Sequence, residues 1–432
     1  MSALESLISS GGEANLLDSL SFDLPPASTA VVDRKQGCRA YPSSASTLSS
    51  SGTKTCRIRL GGNDFVNPES VRLQFQITNA STNGTPLYPA SGPHGVWAQV
   101  RLLSGGVEID NIGCYARHHD LHGMQLLTSE QQWTEAIYGT GGSFNRVPTA
   151  NTWATNRPDQ GVIGPGGNAI VSHKLLLSLF TAGKMIPLRY APLELELTLG
   201  PASDYVHQTR IGSKEYTISD VQLMYDASVL DESVQESFYK ALLSNRVLNI
   251  PCQQFHQVVM SIPPGQTSFT ANVVRSFSRL SKVWITFRNE ASPRVNSFLC
   301  PTDSSTGFEV DEDGMPTMMH DDAPSIRLSC GAKYWPDFQP VSTYQEHFHM
   351  LMKALPFVPR IERAEFCGNL FVSAFDLQRT PGDPTSAIST RSSDQLRIEV
   401  KNLTPNLATE MWVTLWAFGV CAVRESGITL LD

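Results

Sequence analysis

The sequence predicts an all-β chain made of two tandem β-sandwiches, and three observations carry that reading. Apolar and polar residues alternate with a period of two in run after run. Long loops marked by Gly and Pro separate the runs. The order of runs in the first half returns in the second.

Val71, Leu73, Phe75 and Ile77 alternate with polar partners, as do Leu193, Leu195, Leu197 and Leu199. In the second half Val283, Ile285 and Phe287 alternate, followed by Leu396, Ile398 and Val400. Successive side chains of a strand point to opposite faces, so each set lines one buried face of a half-exposed sheet. MWVTLWAFGVCAV at 411–423 is apolar on both faces, the pattern of a strand covered on both sides. The loops include NGTPLYPASGPHG at 83–95, TNRPDQGVIGPGG at 155–167 and SSTGFEVDEDGMP at 304–316. Short strands with elaborate loops are the mark of sandwiches and barrels.

The halves correspond in order rather than in identity. SVRLQFQITN at 70–79 parallels LSKVWITFRN at 280–289. VRLLSGGVEIDNIGCYARHHDLHGM at 100–124 parallels IRLSCGAKYWPDFQPVSTYQEHFHM at 326–350: a strand, a Gly turn, then a Tyr-led stretch carrying histidines. PLELELTL at 192–199 parallels QLRIEVKN at 395–402. Two segments read as helix. One is 114–137, with Leu121, Met124 and Leu127 near helical spacing. The other is 231–245, with an acidic start and then Val234, Phe238, Ala241 and Leu242 on one stripe. The second lies almost at mid-chain and is the natural connector.

A length of 432 residues implies two or three domains, and 41% hydrophobic residues supply sizeable cores. Against 33 basic residues stand 41 acidic ones, a net charge of −8, which argues against phosphate neutralisation and sequence-specific nucleic-acid binding. The cysteines (38, 56, 114, 252, 300, 330, 367, 421) occur singly, so neither a zinc ribbon nor a disulfide framework is expected. MSALESLISSGGEANLL lacks the basic start and apolar core of a signal peptide, and no apolar stretch approaches the ~20 residues that span a bilayer. Residues 21–55 are rich in Ser, Pro, Ala and Thr and read as an extended, poorly packed arm. Leu4, Leu7 and Ile8, then Leu16, Leu17 and Leu20 after Gly11-Gly12, make 1–20 too apolar for a mere solvated tail. The segment is expected to dock elsewhere after assembly.

Reactive constellations are sparse. His118, His119 and His122 with Asp120 form the one local histidine cluster, but Gly123 is expected to interrupt its helix and no H-E-x-x-H occurs. These residues are read as polar groups at a subunit contact, and no metal is assigned to them. Glu309, Asp311, Asp313 and Gly314 have the spacing of a calcium-loop start, yet position one is Glu and His320 stands where the bidentate Glu belongs. A surface acidic loop over 309–322 is expected. GVIGPGG at 161–167 has Pro165 inside and no Lys-Ser/Thr after it, so it is not a phosphate cradle. Asn79, Asn83 and Asn402 begin sequons that, without a secretory signal, are expected to stay unmodified. No catalytic, cofactor-binding or metal residue is assigned. The competing readings are a two-domain glycan hydrolase or a tandem lectin. Both need carboxylates and aromatics gathered in a groove, whereas Trp97, Trp133, Trp153, Trp284, Trp335, Trp412 and Trp416 are spread through the chain.

SGGVEIDNIGCYARHHD (104–120) and KMIPLRYAPLELELTL (184–199), set in two sandwiches joined by a helix, resemble the double jelly-roll major capsid proteins. The texture is most similar to those of polinton-like viruses, virophages and nucleocytoplasmic large DNA viruses. The resemblance spans about residues 53–424 and implies two tandem eight-stranded jelly-roll β-sandwiches with short helical insertions and a linking helix. It also implies a homotrimeric, pseudo-hexagonal capsomer of an icosahedral double-stranded DNA virus shell. No enzyme activity follows from it. The implied partners are the chain itself, neighbouring capsomers, penton and minor or cement capsid proteins, and an inner membrane reached through the arm. The expected division is an arm over 1–52, a first jelly roll over 53–230, a linker helix over 231–245, a second jelly roll over 246–424 and a tail over 425–432. The expected location is the virion.

Overall fold

The structure, a computed structural model, describes residues 31–44, 47–49, 52–89, 92–126, 138–139, 163–206, 212–244, 246–290, 298–302, 309–310, 316–318, 323–356, 366–367, 370–391, 395–424 and 427–431. The first sandwich has eight principal strands. They are β1 (Val31–Ala40), β2 (Thr55–Leu60), β3 (Phe65–Asn79), β4 (Trp97–Ser104), β5 (Val107–Ile112), β6 (Asn168–Lys174), β7 (Leu193–Leu199) and β8 (Tyr216–Leu230). One sheet runs β1-β8-β3-β6 and the facing sheet β2-β7-β4-β5, antiparallel throughout.

The second sandwich is built from β9 (Leu248–Ser261), β10 (Ser268–Val273), β11 (Leu280–Arg288), β12 (Ser325–Cys330), β13 (Lys333–Trp335), β14 (Ser373–Asp376), β15 (Leu396–Lys401) and β16 (Glu410–Arg424). Its sheets run β9-β16-β11-β14 and β10-β15-β12-β13. Adding eight to each strand number of the first sandwich gives the second. The fold is therefore a double jelly roll, and the repeat read from the order of runs is a repeat of topology.

Each alternating run does what its period requires. Leu193, Leu195, Leu197 and Leu199 are buried, as are Val71, Leu73, Phe75 and Ile77. Burying a side chain of this size is worth roughly 1.5–3 kcal/mol. The outward neighbours on β7, Glu194 and Glu196, meet Arg57, Arg59 and Arg101 in a surface ion-pair lattice. Exposed pairs of this kind contribute about 0.2–1 kcal/mol each, so the leucines hold the sheet. Between β4 and β5 the chain turns on Gly105 and Gly106 at φ +57° and +85°, the pair of positive angles a tight hairpin needs. β16 lies inside its sheet between β9 and β11, with Val413, Leu415 and Ala417 in the second core and Trp412 and Trp416 under Arg117 and His122 of the helix at 115–126, which accounts for its two apolar faces.

Three expectations change. The arm contributes β1, so the first sandwich takes its first strand from before residue 53. β1 is nearly all exposed, which hid it from a hydrophobic reading. It is held by pairing with β8 and by Arg34–Asp226 (2.8 Å) and Lys35–Asp64 (2.6 Å). The tail forms β17 (Gly427–Leu431), which pairs with the end of β16. Helix α1 (Tyr115–Leu126) runs through Gly123 without a break. A helical glycine costs ~1 kcal/mol against Ala, and burial of residues 115–123 offsets it. The leucine-bearing 1–20 segment lies outside the described residues.

Helix α2 (Glu232–Leu243) links the sandwiches. Asp231 caps it by accepting from Ser233 N, and Lys240 pairs with Glu236 one turn earlier. Phe238 lies against Phe65, with ring centroids 5.9 Å apart, and Leu242 is buried in the first core. The two cores interlock. The first takes in Leu242, Ile250, Cys252, Cys421, Val423 and Ile428, and the second takes in Leu121.

Candidate functional site

The chemically richest region is the junction between the sandwiches, and α1 is its centre. The histidines expected at a subunit contact are instead inside the chain: His118, His119, Asp120 and His122 are each at most 2% exposed. These polar groups are buried because several have partners that only the folded chain supplies. His118 Nε2 lies 3.1 Å from Leu176 O and His119 Nε2 2.9 Å from Lys174 O. Trp416 Nε1 donates to His122 Nε2 at 3.2 Å. Two histidines distant in sequence join them. His94 contacts Asp120 at 2.7 Å and stacks on His119 at 4.0 Å, and His173 sits 5.6 Å from the His119 ring.

These rings stack or meet edge-on rather than converge on a point, and no group of three or more metal-ligating residues occurs among the described residues. Burial holds His118, His119, His122 and His173 neutral. It lowers His118 to about 3 and drives His119, His122 and His173 well below the ordinary imidazole value. Neighbouring imidazoles add to the effect on the latter three, with Arg72 also acting on His173. His173 finds no hydrogen-bond partner for either ring nitrogen.

The far side of α1 presses on the outer face of the β9-β16-β11-β14 sheet. Arg117 donates to Thr286 Oγ1 at 2.7 Å and Phe287 O at 3.2 Å, and lies over Trp412 and Phe298. Desolvation brings its guanidinium down to about 10, so it remains a cation at neutral pH. His122 and His118 meet Phe255, and His122 meets Trp416. Below this contact Asp110 accepts from Ser178 N (2.8 Å) and Ser178 Oγ (2.6 Å), and burial raises it to about 6. Cys252 and Cys421 stand with sulfurs 3.3 Å apart in the same shared core.

The equivalent helix of the second sandwich is α3 (Tyr344–Ala354), started by a Thr343/Glu346 capping box. Aligning the two Tyr-led stretches pairs Tyr115 with Tyr344 and His118 with His347. His347 bridges Ser373 Oγ (3.0 Å) and Pro324 O (2.7 Å), and burial lowers it to about 4. In both sandwiches a buried histidine on this helix thus fastens the sixth strand of the repeat or its continuation. That equivalence was legible in the aligned sequence. His94 and His173 left no local signal, because only the fold brings them to α1.

The remaining candidates do not form a site. Glu309 begins a short hairpin strand, while Asp311, Asp313, Gly314 and His320 lie outside the described residues. Within 161–167 the described part turns at Gly164–Gly167 and enters β6, and it has no helix behind it. Asn79 is 1% exposed and donates to Thr85 O, Ile163 O and Gly164 O, so its sequon serves packing. Trp97, Trp284 and Trp416 are buried and line no open groove, while Trp133 and Trp153 lie outside the described residues.

Neither a protein-family model nor a curated protein matches the chain. Among solved structures it is similar to the PBCV-1 virus capsid, at 13% identity and TM-score 0.63, covering 95% of this chain and 98% of that one. It is also similar to a chain of the Sputnik virophage, at 10% identity and TM-score 0.57, covering 95% and 90%. The Faustovirus major capsid protein matches at 7% identity and TM-score 0.57, covering 94% and 92%. At such identities the likeness is one of fold.

Proposed function

We propose that the chain is the major capsid protein of an icosahedral double-stranded DNA virus, and that it acts as a structural protein rather than an enzyme. One observation carries the reading: both jelly rolls and the helix between them are matched across nearly the full length of capsid proteins, with little left over on either side. The buried junction supports it. Its histidines, Asp110 and Trp416 are closed off from any substrate, and His118, His122 and Trp416 tie the two sandwiches together. A shell subunit needs such a rigid pair, since relative movement of the halves would blur every contact between capsomers.

On this reading the divisions near 231–245 separate two wall units, and three chains present six jelly rolls in a pseudo-hexagonal outline. The partners are further copies, penton and minor capsid proteins, and, through docking of the 1–20 segment, the inner face of the shell or a membrane there. The purified chain is expected at three times 47.4 kDa by native mass spectrometry, with hexagonal outlines in negative-stain images. A persistent monomer that cleaves a glycan would sink the proposal. Deleting 1–20 is expected to leave trimers intact and impair closure of shells.

A further inference from the structure

Cys252 and Cys421 stand 169 positions apart in sequence, yet their sulfurs lie 3.3 Å from each other. Both thiols are buried, at 3% and 0% exposure. β9 and β16 bring them together through an unbroken antiparallel ladder that runs from Leu248 opposite Val423 to Ser261 opposite Glu410. In that register Cys252 stands across from Gly419 and Cys421 across from Ile250, so the two cysteines are diagonal neighbours on one face. Gly419 brings no side chain to the pair, and Gln254 fills the space that a Cβ there would need. The Cys252 sulfur is left to meet the Gly419 carbonyl at 3.7 Å and the Cys421 sulfur. A disulfide bond is about 2.0 Å long, so bonding asks the sulfurs to close about 1.3 Å. Rotation about the two Cα–Cβ bonds supplies that while the ladder keeps the backbones in place.

The position of the pair gives such a bond mechanical weight. β9 and β16 are strands of the second sandwich, but Cys252 and Cys421 belong to the first core, with Ile250, Val423 and Ile428. β9 is the first strand after α2, and β16 is the last long strand before the terminal β17. A bond between them closes a loop that holds nearly the whole second sandwich and fixes both its ends in the core of the first. Cross-links that close long loops remove the most freedom from the unfolded chain. The hydrogen bond with Cys252, and after it burial, push the Cys421 thiol up and keep it protonated in the folded chain. Thiolate is the reactive form, so the folded pair reacts slowly, and a bond once made is shielded from reductants in turn.

We propose that Cys252 and Cys421 are a redox pair that closes to a disulfide when the chain meets an oxidant, stapling the β9–β16 ladder inside the core that the two sandwiches share. The oxidant is a small disulfide of the oxidised glutathione class. One cysteine, as its thiolate, attacks that disulfide and releases one glutathione thiolate. The second cysteine then attacks the mixed disulfide and releases the other. Two electrons pass from the protein sulfurs to the glutathione sulfurs, and the two protons that the cysteines lose are taken up by the two glutathione thiolates. Exchange proceeds while the strands pair or when they open, because the closed fold seals the site. The staple goes beyond the shell reading and does not depend on it. Combined with that reading, it describes a subunit that folds with free thiols and hardens in an oxidising medium.

The test makes the full chain by cell-free synthesis in glutathione buffers, one reduced and one oxidised. Folded chain from the reduced buffer is also incubated in the oxidised one. Free thiols are blocked with N-ethylmaleimide in denaturant, and the chain is digested without reduction for peptide mapping by mass spectrometry. In the oxidised arms a peptide joining Cys252 to Cys421 is expected, lighter by two hydrogens than its separate parts. Thermal unfolding of the linked chain is expected several degrees above that of the reduced chain. Cys421→Ala is expected to lose both the link and the shift, and Cys252→Ala takes its place should that variant fail to fold. The proposal is overturned by absence of the link along both routes, by a bond from either cysteine to a different one, or by a linked chain no more stable than the reduced chain. Oligomeric state is read in none of these arms, so the shell reading stands or falls separately, on the native mass.

Discussion

The chain is expected to lose its fold steeply between pH 6.5 and pH 5. His118, His119, His122 and His173 are buried at or beside the junction, and folding lowers the proton affinity of each. A group of this kind favours the folded state fully only above its unfolded value of 6.5, and the contribution drains away as the pH falls toward the folded value. From pH 7 to pH 5 the loss is about 2 kcal/mol for each imidazole whose folded value is near 3 or 4. His118 (about 3), with His256 (about 3) and His347 (about 4) in the second sandwich, gives about 6 kcal/mol together, the size of a domain's stability of about 5–15 kcal/mol, and His119, His122 and His173 act in the same direction.

Asp110 works in the opposite direction. Its folded value is raised to about 6, so its ionised form weighs against the fold at neutral pH and that cost shrinks on acidification. The return is about 1–1.5 kcal/mol by pH 5, too little to offset His118, His256 and His347. Chemical denaturation followed by circular dichroism at pH 7, 6 and 5 measures the slope. His173→Leu tests the assignment most cleanly, because this ring has no hydrogen bond to lose. The variant is expected to gain about 1–3 kcal/mol at pH 7 from removal of an unsatisfied buried polar group. Its advantage should be larger at pH 5 than at pH 7, because folding lowers the proton affinity of the wild-type ring. Equal stability of the wild type at pH 7 and pH 5 would remove the basis of the argument.

Legibility in the sequence followed the strength of local physics. Leu193 to Leu199 and Val71 to Ile77 announced themselves because one sheet face was buried and the other wet. The linking helix was legible from its acidic start and one apolar stripe. β1 was not, because an edge strand held by backbone pairing and by Arg34 and Lys35 carries no apolar period. The histidine cluster was seen as a cluster but placed on the wrong side of the surface. Sequence shows that a side chain is polar; it does not show that a carbonyl such as Leu176 O will be waiting inside. The repeat had more in it than the strand order: Tyr115 and His118 against Tyr344 and His347 already marked equivalent fastenings of the two sandwiches.

Trp416→Ala is expected to cost about 3–5 kcal/mol and, more tellingly, to uncouple the two sandwiches. The indole is 1% exposed, donates to His122, and lies 4.5 Å from that ring, 4.9 Å from Phe255 and 6.2 Å from Trp284. It thus joins the α1 side of the first sandwich to β9 and β11 of the second. Truncation opens a space beside a histidine that has just lost its donor, and water entering there weakens the junction rather than one core. Calorimetric unfolding is expected to split from one transition into two. Trp97→Ala is the control, because Trp97 is equally buried but lies in the first core, 5.4 Å from Phe75. It should lower stability by a similar amount while the two halves still unfold together. Splitting in both variants, or in neither, would show that Trp416 is ordinary core. Met224→Ala, at a partly buried position of β8 away from this junction, should cost less than about 1 kcal/mol.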